Sequence, residues 1–410
     1  MKGNVLIQGA TMVLPDETGK GDLRIRDGVI ETVALGTNLT PQDDELIIDG
    51  EGLHLLPGMI DPQVHFRDPG QPEKEDLGSG SAAAVSGGIT SFLDMPNNKP
   101  SITTLEGMNM KLKTASEKCV NNYGFFIGAT PDNVSDLQDA VGTPDAPIAI
   151  PGICGIKIFM GSSTGTLLVN EREALEAIFK GTGGLIAVHA EDEKRMEDRL
   201  PMMEGRTDIA AHAEWRDDVT ALIATKLAVE LAQASGHRLH ILHLTSGIEA
   251  DWLENITVLP SKATGKDAII TTETLPQHLT FDETDVAREG TRLQMNPPVR
   301  YKKDRETLWK QLKSGTVQCI ATDHAPHTLE AKALGFPKAP SGMPGVETSL
   351  AVMLTHANDG ACSIEDVVRW MSTNVADCYN MVGKGRLEEG ADGDVVLVDM
   401  NNARTVSDEH

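Results

Sequence analysis

Up to about residue 57 the apolar positions fall in short runs, NVLIQGATMVL, GDLRIRDGVIETVAL and DELIIDGEGLHLL, with turn residues between them, which predicts the strands of a small β-unit. From residue 58 the pattern changes. Compact apolar runs then alternate with stretches of helical composition, the sign of repeated βα units around a parallel sheet. The runs are GMIDPQVHF, ITSFLDM, YGFFIGA, GIKIFM, LIAVHA, RLHILHL, DAIITTETL and VQCIATD, beginning near 58, 89, 123, 155, 185, 238, 267 and 317. Eight runs predict an α/β fold of the (β/α)8 TIM-barrel kind. A doubly wound sheet would ordinarily carry a Gly-rich phosphate turn after its first strand. The barrel is expected over residues 58–385. Residues 1–57 and 386–410 are expected to build a small β-sandwich domain, with the strand GDVVLVDM returning to the N-terminal unit. ALEAIFK, VTALIATKLAVELAQA, RETLWKQL, VETSLAVMLTHA and IEDVVRWMSTNVADCY predict helices between and after the runs.

Composition changes this picture little. A chain of 410 residues, 40% hydrophobic and 24% charged, can bury a large core and is far from the composition of disorder. The formal net charge of -25 argues against a nucleic-acid partner, and it means that an anionic substrate needs a local cation to hold it. The five cysteines, Cys119, Cys154, Cys319, Cys362 and Cys378, form no C-x-x-C pair, which fits buried thiols in a reducing compartment. The N-terminus reads as a strand rather than a signal peptide, and no stretch is long enough to span a membrane, so a cytoplasmic location is expected.

In a barrel of this kind the reacting groups stand at the C-terminal ends of the strands, so polar residues that close apolar runs carry the information. Run one ends in His65 and Arg67, run four contains Lys157, runs five and six end in His189 and His243, and run eight ends in Asp323 followed by His324 and His327. Lys157 has two readings. Desolvation can leave it a neutral amine that adds carbon dioxide to give a carbamate able to bridge two metal ions, or its stem is buried while its head reaches a surface carboxylate. Taken together, side chains from strands one, four, five, six and eight would converge on one mouth. Imidazole and carboxylate ligands suit zinc with a position left for water, and hydrolysis is the natural chemistry. One partner is missing. Gln63, two residues before His65 and on the same strand face, stands where a second histidine would complete a pair.

Beside these residues the chain carries MPNNKP at 95–100, GIKIFMGSSTG at 155–165, QMNPPVR at 294–300, ATDHAPHT at 321–328 and SGMPGVET at 341–348. With these motifs in this order it resembles the amidohydrolase superfamily, and within it the dihydroorotases, over about residues 1–400. The resemblance implies a zinc enzyme that reversibly hydrolyses the cyclic amide of L-dihydroorotate to N-carbamoyl-L-aspartate in pyrimidine synthesis. It implies one zinc firmly held by His189, His243 and carboxylated Lys157. A second, between His65, Lys157 and Asp323, is weakened by Gln63, whose neutral amide oxygen is a poorer ligand. Asp323 would act as general acid/base, taking a proton from the attacking oxygen and giving it to the departing nitrogen. Arg67 would hold the substrate carboxylate, with Asn97, Asn296, His327 and backbone groups of Ser341 and Gly342 as further contacts.

Two alternatives stay open. A hydantoinase, dihydropyrimidinase or allantoinase would share the barrel, the metals and Asp323. A non-catalytic partner of aspartate carbamoyltransferase would explain Gln63. The implied partner is a small-molecule substrate, with neither nucleic acid nor membrane, and a homo-oligomer is compatible with the sequence. One further departure from the family is that the chain stops at ARTVSDEH, shortly after GDVVLVDM, where the family continues with several strands. Either its β-unit is smaller or the sequence is cut short.

Overall fold

Each of the eight apolar runs becomes one strand of a single parallel sheet in the computed structural model, which describes residues 3–161, 165–260, 269–403 and 405–407. Residues 162–164 of the GIKIFMGSSTG motif, the first two residues of the run DAIITTETL, and residues 404 and 408–410 of the tail lie outside the described residues. Before the barrel come β1 (Asn4–Val13), β2 (Thr18–Arg26), β3 (Val29–Leu35), β4 (Glu45–Asp49) and β5 (His54–Pro57). The barrel strands are β6 (Met59–Val64), β7 (Ile89–Asp94), β8 (Asn122–Gly128), β9 (Ile153–Phe159), β10 (Leu185–His189), β11 (Arg238–Ile241), β12 (Ile270–Thr274) and β13 (Cys319–Ile320), each paired with the next in parallel. The His65 amide donates to the His324 carbonyl at 2.7 Å, next to a parallel bridge between Val64 and His324, and so brings the last strand back to the first.

The runs are continuous rather than alternating because a barrel strand is covered on both faces, by the packed interior and by the outer helices. β6 and β10 are accordingly buried at every residue. The outer helices follow the expected segments. Arg172–Gly181, Asp218–Ser235, Lys302–Ser314 and Ser349–Asn358 form where the apolar residues recur at helical spacing. The longest begins at Asp217, whose carboxylate accepts from the Thr220 amide, and ends at Gly236 in the left-handed region, the ordinary start and stop signals. The segment IEDVVRWMSTNVADCY does not form one regular helix. Helical turns at Ile364–Val368 and Asn374–Cys378 flank a π turn at Arg369–Thr373. Ser372 there donates to the Gly58 carbonyl and Asn374 to the Gln318 carbonyl, both at 2.7 Å, so the widened turn fastens the starts of β6 and β13.

Outside the barrel lies a small sheet domain. Its six-stranded mixed sheet runs β14-β5-β1-β2-β3, with β4 sharing the β5 edge of β1 and β14 (Val395–Val398) antiparallel to β5. β1 pairs with β4 through Asn4–Gln8 and with β5 through Thr11 and Met12, the change of partner coming at the irregularity between Ile7 and Ala10. Its own core includes Ile7, Met12, Leu23, Ile25, Ile30 and Leu55. Among the described residues no helix is long and apolar enough to cross a membrane.

Candidate active site

The polar residues that close the apolar runs meet at one end of the barrel, in two groups with Lys157 in electrostatic reach of both. In the first, at the ends of β6 and β13, Gln63 Nε2 and His65 Nε2 each lie 3.0 Å from the same oxygen, Asp323 Oδ1. The other ring nitrogen of His65 is 2.6 Å from Asn97 Oδ1. Gln63 Oε1 is buried without a hydrogen-bond partner. Beneath them Asp61 latches the two strands together: its carboxylate accepts from the amides of Gln63 and Thr322 and from the Thr322 hydroxyl. Burial pushes the Asp61 carboxyl up to about 7.

In the second group, at the ends of β10 and β11, His189 Nδ1 faces His243 Nε2 at 2.9 Å. His189 Nε2 lies 2.7 Å from Glu191, whose two oxygens accept from Arg216 at 3.0 and 2.6 Å. Burial works to raise the Glu191 carboxyl, but Arg216 and His189 outweigh it and hold it below the ordinary range. Both histidines are pushed down, chiefly by burial and further by the nearby Lys157 amine. They are therefore neutral near pH 7, the form that binds metals.

Run six extends further in the sequence than β11 does in the fold. The regular ladder stops at Ile241, Leu242 N–H still reaches the Val188 carbonyl at 3.2 Å, and Leu244 N–H crosses to Glu273 at 2.8 Å. Between them His243 takes a left-handed backbone, φ 37°. Arg67 (φ 59°) and Asp323 (φ 47°) do the same at their strand ends, so three of the six such non-glycine residues among the described residues stand at this mouth. Each costs on the order of 1 kcal/mol or more and persists only where its surroundings fix it, a pattern typical of functional sites.

Lys157 on β9 is 1% exposed, and its ammonium has no hydrogen-bond partner. Its Nζ lies 4.5 Å from the centre of the Phe159 ring. Burial pushes the amine down to about 7, against the opposing pull of Asp323 and Glu273. A surface carboxylate reached by snorkelling is thus ruled out, and what remains is a buried amine poised between neutral and charged.

Arg67 is buried, its Nε is unpartnered, and burial lowers its pKa although Asp323, Asp94 and Glu75 pull the other way. His327 donates from Nε2 to the Ser341 carbonyl, 3.0 Å away, while its Nδ1 is unpartnered; burial, then Arg67, pushes it down to about 3. Gly342, at φ 127°, packs so closely that an added Cβ would stand 2.6 Å from the Ala325 carbonyl and 3.2 Å from His327. Asn296 Oδ1 accepts from His212 Nε2 at 3.1 Å, and Asn97 Oδ1 accepts from His65, so these two amides hold histidines in place. His324 bridges Glu75 and the amides of Gly345 and Val346 and fixes the loop after β13.

Three residues escaped the sequence reading. Glu191 had a visible signal, two residues past His189 where a strand face repeats. Arg216 and His212 had none, since their partners are distant in sequence. A cavity of about 900 Å³ lies elsewhere, lined by Pro57, Thr257, Gln318 and Asn374 near the starts of β6 and β13, so its size says nothing about this mouth.

The amidohydrolase family profile matches residues 54–408. The chain belongs to the amidohydrolase family. It is similar to the dihydroorotase of Methanosarcina acetivorans, 33% identical over 94% of this chain and 81% of that one, and to the allantoinase of Streptomyces avermitilis, 32% identical over 98% and 87%. Among solved structures it is similar to the L-hydantoinase (dihydropyrimidinase) of Arthrobacter aurescens, with a TM-score of 0.86 and 27% identity over 96% of this chain and 86% of that one. This amidohydrolase is a hydrolase of carbon–nitrogen bonds in cyclic amides.

The family is generally metal-dependent. Among the described residues no group of three or more His, Cys, Asp and Glu is gathered closely enough to hold an ion. The donor set accounts for this. Gln63 beside His65 offers an amide rather than an imidazole or carboxylate, and the residue in reach of both groups is a lysine, which becomes a ligand only after modification. The orphaned Lys157 amine and the two facing neutral imidazoles fit a metal once that amine carries a carboxylate.

Proposed function

We propose that this amidohydrolase is a dihydroorotase, opening L-dihydroorotate to N-carbamoyl-L-aspartate and closing it in reverse, as a cytoplasmic enzyme of pyrimidine synthesis. Arg67 carries the reading. A guanidinium buried two residues past His65, with its Nε unsatisfied, suits a substrate that brings its own carboxylate, whereas a hydantoin or dihydropyrimidine ring offers no anion to repay the desolvation. In a chain of net charge -25 such a local cation is what an acidic substrate requires.

His189, His243 and carboxylated Lys157 would hold one zinc ion, and His65, Lys157 and Asp323 a second whose hold Gln63 weakens. Bound zinc supplies Lewis acidity to the ring carbonyl and lowers the pKa of water. The rest falls to side chains. Asp323, already the acceptor for Gln63 and His65, takes a proton from the attacking oxygen and returns it to the amide nitrogen as the ring opens. Arg67 fixes the carboxylate and His327, with Nδ1 unpartnered beside Arg67, orients the ring, while the Ser341 carbonyl holds His327 and the Gly342 amide is held by the Gln294 carbonyl.

An ultraviolet assay of ring opening on dihydroorotate, hydantoin, allantoin and dihydrouracil tests this. Dihydroorotate should be turned over with a kcat/KM at least about a hundredfold above the neutral rings. Efficient turnover of allantoin or hydantoin with none of dihydroorotate would overturn the substrate. Inertness toward all four, restored by Gln63→His, would favour the non-catalytic alternative.

A further inference from the structure

The helix Leu105–Lys118 buries Met108, Lys111 and Ala115, so an ammonium occupies the stripe of the helix that should be apolar. It is not idle there. Lys111 Nζ pairs with Asp94 Oδ2 at 2.5 Å, both side chains wholly buried, and donates to Asn98 Oδ1 at 2.7 Å. From this pair two hydrogen bonds run to either side of one residue. Asp94 Oδ1 accepts from the Phe66 amide at 2.9 Å, and Asn98 Nδ2 donates to the Asp68 carbonyl at 3.0 Å. The residue between is Arg67, with its left-handed backbone.

We infer that Lys111, Asp94 and Asn98 form a positioning cluster that fixes the backbone of Arg67 and thereby sets the affinity of the site for an anionic ring. The inference rests on the dihydroorotase reading only for the identity of that ring. The three side chains make no hydrogen bond to Gln63, His65, Lys157, His189, His243 or Asp323 among the described residues, so the cluster acts on substrate binding and not on the hydrolytic groups. Charge matters as well as geometry. Without Lys111 the buried Asp94 carboxylate that holds the Phe66 amide would lose its counter-ion.

The test compares Lys111→Met and Lys111→Met/Asp94→Asn with the wild type by steady-state kinetics on dihydroorotate, by zinc content and by crystal structure. Lys111→Met should raise KM about tenfold or more, with kcat within about twofold and zinc content unchanged. Its crystals should have the Arg67 guanidinium turned toward Asp94 or its φ out of the left-handed region. The double variant, which buries no unpaired charge, should recover part of the KM, and it carries the comparison with wild type if Lys111→Met does not fold. KM and kcat that move together, or an unchanged KM with Arg67 in place, would overturn the inference. If wild type leaves dihydroorotate untouched, the substrate reading fails while the position of Arg67 in the variant crystals still decides this one.

Discussion

On the β10–β11 side of the mouth a carboxylate backs the histidine, whereas on the β6–β13 side an amide does. His189 leans on Glu191, which Arg216 holds charged by a two-pronged bond, and its free nitrogen faces His243. His65 leans on the neutral Asn97, and both it and Gln63 are turned onto Asp323. A carboxylate behind an imidazole fixes its tautomer and raises its basicity; a neutral amide oxygen fixes the tautomer too but raises the basicity less. On the proposed function the first side would be the stronger metal half-site, and the second would leave the Asp323 carboxylate to move protons.

Lys157 is the residue whose loss should break the contrast altogether. Lys157→Ala removes the group within reach of both sides, and turnover should fall at least about a thousandfold with zinc lost, read by assay and elemental analysis. Glu191→Gln keeps a hydrogen bond to His189 but strips its charge. Zinc affinity, measured against a chelator, should drop about 10–100-fold, while the matching change Asn97→Ala on the other side should leave it within a few-fold.

The strong side should also be the acid-sensitive one. Burial, then Arg216, pushes His212 down to about 3, against about 6.5 unfolded, so the folded state refuses a proton that the unfolded state accepts. That stability is full above pH 6.5 and is lost as the pH falls toward 3. Between pH 7.5 and pH 5 the loss from this group is about 2 kcal/mol, and urea midpoints of His212→Gln should lack that part of the slope. The smallest effect is expected for Gln63→His. It should raise zinc toward two per chain and change kcat by no more than a few-fold, because the side it changes is not the one proposed to hold the first ion.

Much of this could be read from the sequence because barrel strands are buried on both faces. Eight apolar runs could be counted, and His65, Lys157, His189, His243 and Asp323 stood at or near their ends. What could not be read is pairing across distance. Arg216 follows Glu191 by 25 residues and belongs to no periodic pattern, and Lys111 interrupts an apolar helix face without any hint that Asp94 answers it. The backbone kinks at Arg67, His243 and Asp323 were equally silent, since none is a glycine or precedes a proline. They are imposed by tertiary contacts, and they aim the side chains that the runs merely deliver.

The central claim is that a metal site is built from β9, β10 and β11. Anomalous diffraction at the zinc edge, from crystals of wild type grown with zinc and bicarbonate, addresses it directly. The account predicts one strong peak about 2.1 Å from His189 Nδ1 and His243 Nε2, with density for a carboxylate on Lys157. Bare Lys157 and no peak there, or a lone peak between His65 and Asp323, would contradict it.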